Sequence, residues 1–206
     1  MQLEQLKTRV SYQTLLLAGF ALAASALLGI GDWSTRDVIE LRRQENLKAS
    51  LAQVIPDELY DNDLVKSTVI VPTYSLSNMQ EILIYQARKQ GCTTAVAFRL
   101  TAPDGYSGNI DMIIGIGRNG DILGVRVIAH AETPGLGDKI EIAKSDWILS
   151  FNGRSLENPT VEQWAVKKDG GEFDQFSGAT ITPRAVVNAV RRGLLFFDKH
   201  RSEIVE

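Results

Sequence analysis

The sequence predicts an α+β protein in which an N-terminal transmembrane helix precedes one domain with a mainly antiparallel sheet and flanking helices. Three observations predict this class. Positions 10–31 contain no charged residue, β-like runs joined by an Asn-Gly turn fill the middle of the chain, and apolar residues at helical spacing close it. These patterns are typical of a membrane span, an antiparallel hairpin and an amphipathic helix, respectively.

Composition excludes several classes of function. With 206 residues, the chain is long enough for one domain with a buried core. Its net charge of −3 lacks the basic excess of a nucleic-acid-binding protein. Cys92 is the only cysteine, and His130 and His200 are the only histidines, which excludes an internal disulfide, a CxxC pair and a multi-histidine metal centre. Any redox chemistry would therefore require a bound cofactor.

The charge-free stretch at 10–31 predicts a transmembrane helix. Its 22 residues would span about 33 Å at ~1.5 Å per residue, enough for the ~30 Å hydrocarbon core of a bilayer. A cleaved signal peptide is the alternative, because positions 21–26 offer the small residues that a signal peptidase accepts. The apolar run continues past them through Leu27, Leu28 and Ile30, so we expect an uncleaved anchor.

Charge on the two sides of this stretch predicts its orientation. Lys7 and Arg9 lie in the short segment 1–9, and basic residues on a short flank favour the cytoplasmic side. Arg36 and Arg42 follow the stretch, but long domains cross the membrane largely regardless of charge. We therefore expect segment 1–9 in the cytoplasm and the C-terminal domain in the periplasm of a bacterium.

The pattern at 32–60 predicts a helical linker that follows the membrane span. The domain then covers 61–206. Ser34 is a suitable N-cap for a new helix that would follow the membrane span. Residues 61–92 leave helix and strand undetermined, because the pattern around Ser77 fits both.

The middle of the domain is typical of antiparallel β-structure. Thr93–Ala102, 110–116 and 122–129 are rich in β-branched and apolar residues. An Asn-Gly dipeptide, the strongest short hairpin signal, separates the last two runs. The same region spells G-x-G-x-x-G at 115–120. A dinucleotide fingerprint needs a helix after it, and a β-run follows here, which excludes that interpretation.

Three more elements are predicted after the hairpin. Ser145–Asn152 fits a short helix and Val161–Val166 fits a strand. The last element is a helix, because Thr182 is a suitable N-cap and Pro183 suits the first helical position. Apolar residues then recur at helical spacing. They are Val186, Val190, Leu194 and Phe197.

The loop at 174–180, just before this last helix, reads Asp-Gln-Phe-Ser-Gly-Ala-Thr. Its small residues allow a bulky ligand to approach the backbone, and the N-terminus of the following helix favours an anion such as phosphate. A phosphate joined to Thr180 would therefore be stabilised there. From the pattern alone, a plain loop entering a helix, with Ser177 and Thr182 as local caps, stays an alternative.

This run resembles the flavinylation signature Asp-x-x-Ser/Thr-Gly-Ala-Thr of the FMN-binding domain family, which RnfG (also called RsxG) and NqrC share. The matching residues are Asp174, Ser177, Gly178, Ala179 and Thr180. The resemblance implies that Thr180 carries FMN covalently through a phosphoester, installed by a Mg²⁺-dependent flavin transferase that uses FAD as the donor. The other four residues would surround the attached cofactor.

A second stretch, Glu-Thr-Pro-Gly-Leu-Gly at 132–137, is similar to the other hallmark of the same family. The resemblance implies that this stretch forms part of the flavin pocket. The residues assigned to the pocket are Glu132, Thr133, Gly135, Leu136 and Gly137. Leu136 would cover an apolar face of the ring, and the glycines would let backbone amides approach it. Glu132 and Thr133 would offer polar contacts to the edge of the ring.

Three residues near the second motif have more than one interpretation. Glu132 is either a flavin contact or a solvated or capping carboxylate. For His130, a structural role at the end of the strand is the alternative to a flavin contact. Lys139 would add positive charge near the site.

Two motifs in the family order, behind one N-terminal span, cover nearly the whole chain, and its compact length resembles RnfG more than NqrC. The resemblance implies an FMN-binding domain at 61–206, within an electron-carrying subunit of a Rnf/Rsx-type complex in the bacterial inner membrane, rather than a stand-alone catalyst. The other membrane subunits would be its partners, with coupling to ion transport or to reduction of a redox sensor. Two alternatives stay open: a non-flavin binding protein with an uncleaved signal, and a free-standing flavin-dependent reductase.

Overall fold

The computed structural model describes residues 10–72 and 81–205. Its elements are helix α1 (Val10–Ala52), strands β1 (Thr68–Pro72), β2 (Glu81–Lys89), β3 (Cys92–Ala102), β4 (Ile110–Gly117) and β5 (Ile122–Ala129), and helix α2 (Ile181–Val205). Short 3₁₀ helices cover Asp57–Leu59, Asp138–Ile140, Asp146–Phe151, Val161–Gln163 and Lys167–Asp169. The predictions for segment 1–9, with Lys7 and Arg9, and for Ser77 lie outside the described residues.

The five strands form one antiparallel sheet in the order β1-β2-β3-β4-β5, which confirms the predicted α+β class and the antiparallel sheet. The region at 61–92, left undetermined by the sequence, contributes β1 and β2. The Asn-Gly turn forms as expected, with the Gly120 N–H donating to the Gly117 carbonyl at 2.9 Å. Because β5 follows the turn directly, the G-x-G-x-x-G run lies in a hairpin, and the exclusion of a dinucleotide fingerprint is confirmed.

Helix α2 covers one face of the sheet. Its predicted apolar stripe is fully buried there, at Val186, Val190, Leu194 and Phe197. Phe98 on β3 contacts Phe196 of the helix edge to face, with ring centroids 5.6 Å apart. The far end of the helix is fixed by Gln86, whose buried side-chain amide donates to the Ile204 carbonyl at 2.6 Å. The closing helix is therefore attached to the sheet along its whole length.

The opposite face of the sheet packs against the end of α1 and the turn that follows it. Leu51, Val54 and Ile55 are buried there together with Ile113 of β4. Gly115 allows this close approach, because a Cβ at that position would lie 2.1 Å from the Val54 carbonyl oxygen. Burial on both faces explains why β4 is apolar from Met112 to Gly117 instead of alternating.

Helix α1 runs without interruption through the predicted span and on to Ala52 within the predicted linker, so the prediction that Ser34 starts a new helix was wrong. A cap needs free backbone N–H groups, and a continuous helix leaves none at its middle. The neighbouring Thr35 hydroxyl instead donates back to the Gly31 carbonyl at 2.8 Å. Within the described residues, α1 is the one helix long and apolar enough to cross a membrane. The chain divides into two compact units after Glu45.

The structure corrects one further prediction and refines another. Val161–Val166 is not a strand: Val161–Gln163 is a 3₁₀ turn closed by a capping box between Thr160 and Gln163, and local side-chain bonds of this kind compete with strand pairing. The predicted short helix at 145–152 is present as a 3₁₀ helix, Asp146–Phe151, with Ser145 as its N-cap.

The start of α2 differs from the prediction as well. The helix begins at Ile181, so Thr182 is inside the first turn and does not cap it. Its side chain is completely buried, and its hydroxyl donates to the Glu132 carboxylate. The hydroxyl that was predicted to cap the helix therefore makes a tertiary contact instead.

Candidate functional site

The two sequence motifs meet at the N-terminal end of α2. A Cβ built at Gly178, in the 174–180 loop, would lie 3.9 Å from a methyl carbon of Leu136, in the 132–137 loop. The structure therefore brings together the two segments that the resemblance assigned to one pocket. They are called the outer loop (174–180) and the inner loop (132–137) below.

Glu132 begins the inner loop, and its carboxylate faces the protein interior. The residue is only 4% exposed. Its Oε1 accepts a hydrogen bond from the Ser107 N–H at 3.0 Å, and its Oε2 accepts one from the Thr182 hydroxyl. The alternative of a solvated carboxylate is therefore wrong. Ser107 was missed, because the sequence between the β-like runs Thr93–Ala102 and 110–116 gave no signal that its backbone would reach the motif.

The rest of the inner loop is a tight turn that projects a side chain outward. The N–H groups of Leu136 and Gly137 both donate to the Thr133 carbonyl, at 3.1 Å each. Gly137 is buried, whereas Thr133 and Gly135 are exposed. The Leu136 side chain is 45% exposed, an apolar group facing solvent beside the outer loop. This arrangement suits contact with a flat, partly apolar ligand.

The outer loop is a turn with small residues at its tip. The Ala179 N–H donates to the Phe176 carbonyl at 3.1 Å, and Ser177 and Gly178 are exposed between them. Phe176 is buried and packs edge to face on Trp147, with ring centroids 5.1 Å apart. One aromatic side chain thus attaches the loop to the core while its tip stays open.

Two side chains hold the first residue of the outer loop. The Trp147 indole N–H donates to the Asp174 carbonyl at 2.8 Å. Lys167 forms an exposed ion pair with the Asp174 carboxylate, at 2.6 Å. Trp147 lies in the predicted short helix Ser145–Asn152, and the sequence assigned it no role at the site. The signal that could have identified it is its indole N–H, which needs an acceptor when the ring is packed.

Thr180 ends the outer loop and directly precedes α2. Its carbonyl accepts from the Arg184 N–H at 3.3 Å, while its half-buried hydroxyl has no hydrogen-bond partner among residues 10–72 and 81–205. The helix behind it is 25 residues long, and its first N–H groups and dipole favour negative charge at this point. Ile181, 45% exposed, adds apolar surface beside the hydroxyl. These features fit a phosphate ester with an aromatic ring attached.

Arg184 lies one turn into α2 but is engaged elsewhere. Its guanidinium donates two hydrogen bonds to the Asp169 carboxylate, at 2.6 and 2.8 Å. These bonds hold the pKa of that carboxyl below its ordinary value and raise the pKa of the guanidinium. The pair connects the 3₁₀ turn before the outer loop to the helix after it.

Comparison with known proteins places these loops in a family. The FMN-binding domain model matches residues 105–195, which include both loops. The G subunit of the ion-translocating oxidoreductase complex from Shewanella oneidensis is 48% identical over 92% of this chain and 90% of its own length. The corresponding proteins of Cereibacter sphaeroides (50% identity, 93% of this chain, 85% of its own) and Vibrio vulnificus (47%, 93% and 90%) are similar. The chain belongs to the RnfG family. The resemblance stated from the two motifs is thereby confirmed.

A solved structure is similar to this RnfG-family chain at a greater distance. It is the C subunit of the Na⁺-translocating NADH-quinone reductase of Parabacteroides distasonis, with 22% identity and a TM-score of 0.46 over 68% of each chain.

In this member of the RnfG family, His130 connects the end of β5 to the inner loop. Its Nδ1 accepts from the Glu132 N–H at 3.0 Å, and its Nε2 lies 2.7 Å from a carboxylate oxygen of Glu141. The ring is largely buried. These contacts fit the structural alternative for His130. Lys139 is exposed beyond the inner loop. Within the described ranges, no group of three or more acidic, histidine or cysteine side chains is arranged to hold a metal ion.

Proposed function

We propose that this RnfG-family chain is the electron-transfer subunit of a Rnf/Rsx-type membrane complex and carries FMN through a phosphoester on Thr180. The observation that carries the proposal is the Thr180 hydroxyl. Thr180 is half-buried, its hydroxyl has no partner among the described residues, and it lies at the N-terminus of a long helix within an FMN-binding domain. A phosphate at this position would be stabilised by the helix N–H groups and dipole.

The proposed attachment is a substitution at phosphorus with no change of oxidation state. The Thr180 oxygen forms a bond to the FMN-side phosphorus of FAD, the pyrophosphate P–O bond breaks, and AMP leaves. The hydroxyl proton passes to a base supplied by the flavin transferase. Exposure of Ser177 and Gly178 at the loop tip would give such an enzyme access to the acceptor.

The two loops would provide the pocket. Leu136, beside Gly178, and Ile181, which follows Thr180 in the chain, offer exposed apolar surface, which suits the face of an isoalloxazine ring. The proposed cofactor-binding residues are Asp174, Ser177, Gly178, Ala179 and Thr180 of the outer loop, and Thr133, Gly135, Leu136 and Gly137 of the inner loop. Glu132, expected from the resemblance to contact the ring edge, has both carboxylate oxygens bonded within the protein instead.

In this proposal the cofactor supplies the redox chemistry, and the protein supplies position, electrostatics and a tether. The relatives are named as subunits of an ion-translocating oxidoreductase complex, which supports membrane-embedded partner proteins for this chain as well. Copurification with those partners would be expected. Full flavin-dependent reductase activity of the isolated chain, with no associated proteins, would instead favour the free-standing enzyme.

We propose that α1 is an uncleaved anchor in the inner membrane, because its apolar part is long enough to span a bilayer. The basic residues Lys7 and Arg9 on the short flank favour a periplasmic C-terminal domain. We expect the mature protein to retain residues 1–31 and to fractionate with membranes. A periplasm-dependent reporter fused after Glu206 should be active. A mature N-terminus within 24–27, or activity of a cytoplasm-dependent reporter at the same position, would contradict the anchor or the topology, respectively.

The attachment is tested by replacing Thr180 with valine, which has nearly the same shape and lacks the hydroxyl. The full chain, coexpressed with a flavin transferase, should stay folded and membrane-inserted but show no flavin fluorescence after denaturing electrophoresis. Thr180→Ser keeps a hydroxyl and should retain label. Thr68→Val, the same change on exposed β1, is the matched control and should label fully. Persistent label on Thr180→Val would refute covalent FMN at this residue.

A further inference from the structure

One buried carboxylate joins three separate segments at the site. Glu132 of the inner loop bonds both the backbone of Ser107, from the β3–β4 connection, and the hydroxyl of Thr182, in the first turn of α2. We call this arrangement the Glu132 clasp. We propose that Glu132 is a positioning residue which, through Thr182, fixes the Thr180 hydroxyl relative to Leu136. The inference rests on the proposed attachment of FMN to Thr180.

The carboxylate is committed to the protein on both oxygens. Each accepts one hydrogen bond from a donor of another segment, and the residue is almost fully buried. The Glu132 N–H is also occupied, because it donates to His130. Glu132 therefore influences a ligand at the loop surface indirectly, through the positions of Ser107 and Thr182.

The packing around the clasp leaves no space for an additional methyl group. A Cβ at Gly137 would lie 2.8 Å from Glu132 Oε2 and 2.9 Å from the Thr182 hydroxyl. On the other side, a Cβ at Gly105 would lie 2.9 Å from Glu132 Oε1. Glycine at both positions thus lets two backbones close around the carboxylate, which restricts its side chain to one arrangement.

The charge of the clasp is balanced without a cation. Among the described residues, no lysine, arginine or histidine side chain forms an ion pair with Glu132. Two hydrogen-bond donors and the N-terminal end of α2 compensate it instead. Loss of either donor would leave a buried charge partly unsatisfied, so the carboxylate selects the geometry in which both donors are present.

The clasp lies close in sequence to both halves of the proposed pocket. Thr182 is in the first turn of the helix that Thr180 precedes, and Glu132 opens the loop that carries Leu136. Because a helical turn is stiff, fixing Thr182 fixes the position of Thr180 as well. The distance between the attachment oxygen and the exposed leucine therefore depends on the bond between Glu132 and Thr182.

The test uses the full chain in membranes, with a flavin transferase and FAD. We expect Glu132→Ala and Thr182→Val to reach SDS-stable labelling slowly, with a rate ~10- to 100-fold below wild type, the loss typical of a displaced reacting group. The attached flavin should also lose most of its induced visible circular dichroism, because the ring is no longer held in one orientation. The double variant should be no slower than the worse single variant, because both changes break the same bond.

Two conservative variants should keep both the labelling rate and the circular dichroism of the flavin near wild type. In Glu132→Gln the side-chain oxygen still accepts from Ser107, and the amide can donate to the Thr182 hydroxyl, which then accepts. Thr182→Ser keeps the hydroxyl. Near wild-type labelling and dichroism in both variants would support positioning. Damage in Glu132→Gln equal to that in Glu132→Ala would overturn it, because the negative charge itself would then be required.

Gln86→Ala is the matched control for stability. Gln86 is also a buried polar side chain that bonds α2, but at the Ile204 end of the helix. This variant should unfold more easily than wild type, yet label at the wild-type rate with unchanged dichroism. If Gln86→Ala slows labelling as much as Thr182→Val, the effect is general destabilisation and the clasp proposal fails. If Glu132→Ala does not fold, Thr182→Val, which keeps the shape of the side chain, decides.

The outcomes separate this inference from the proposed function. Wild-type labelling rate and dichroism in both Glu132→Ala and Thr182→Val would refute the clasp and leave the attachment intact. Label on Thr180→Val would refute the attachment, whatever the clasp variants show.

Discussion

The inner and outer loops lie side by side but are fixed in opposite ways. The inner loop is held by buried groups, namely the Glu132 carboxylate and the closely packed Gly137. The outer loop is held at its base by Trp147 and the exposed Lys167, while Ser177 and Gly178 face solvent. The difference suits the proposed covalent attachment, in which one loop would hold the ring rigidly and the other would be accessible to the proposed flavin transferase.

The largest effect on the free energy of unfolding is expected at Gly137, where the inner loop has no space for a larger residue. Gly137→Ala would place a methyl group 2.8 Å from Glu132 Oε2, against a side chain that cannot move away because both its oxygens are bonded. We expect a loss of about 1–3 kcal/mol in the free energy of unfolding, as for other overpacked sites. Thermal unfolding of the detergent-solubilised full chain measures it. An unchanged midpoint would show that the inner loop is not rigid.

A smaller effect is expected at the base of the outer loop. Trp147→Phe keeps an aromatic ring against Phe151 and Phe176 but removes the N–H that donates to the Asp174 carbonyl. We expect a cost of about 0.5–1.5 kcal/mol, the net value of one hydrogen bond. Hydrogen exchange should accelerate in the outer loop alone. Equal acceleration in the inner loop would mean that the two loops move as one unit.

The smallest effect is expected at the exposed ion pair. Lys167→Met removes the partner of the Asp174 carboxylate, and both side chains are more than half exposed. Such pairs contribute about 0–1 kcal/mol and are screened by salt. The unfolding midpoints of variant and wild type should therefore differ slightly at low ionic strength and coincide at high salt. A difference that persists at high salt would assign Lys167 a stronger role in holding the outer loop.

The elements that the sequence predicts correctly are those whose structure depends on local chemistry. The Asn-Gly turn between β4 and β5 and the apolar stripe of α2 depend on neighbouring residues, and both are present as predicted. The two motifs are adjacent in space, which the family resemblance implied and composition alone did not.

The failures share a different cause. Thr182 has every property of an N-cap, but its hydroxyl is used by Glu132, 50 residues earlier in the chain. Ser107 and Trp147 reach the site through backbone groups and an indole N–H, which leave no mark on a motif. Val161–Val166 has β-branched residues, yet the local capping box of Thr160 and Gln163 prevails. Hydrogen bonds of individual side chains and backbone groups determine the structure at each of these positions. The pattern of apolar and polar residues carries no information about such bonds.

The contacts of His130 have a consequence for proton supply. Since Nδ1 accepts from the Glu132 N–H, the ring proton is on Nε2 and is donated to Glu141. Both nitrogens are therefore occupied, as are both oxygens of Glu132. Neither side chain can turn towards a ligand at the loop surface without breaking a bond that holds the inner loop. A proton that accompanies an electron at this site would enter from the water at the exposed tips of the two loops.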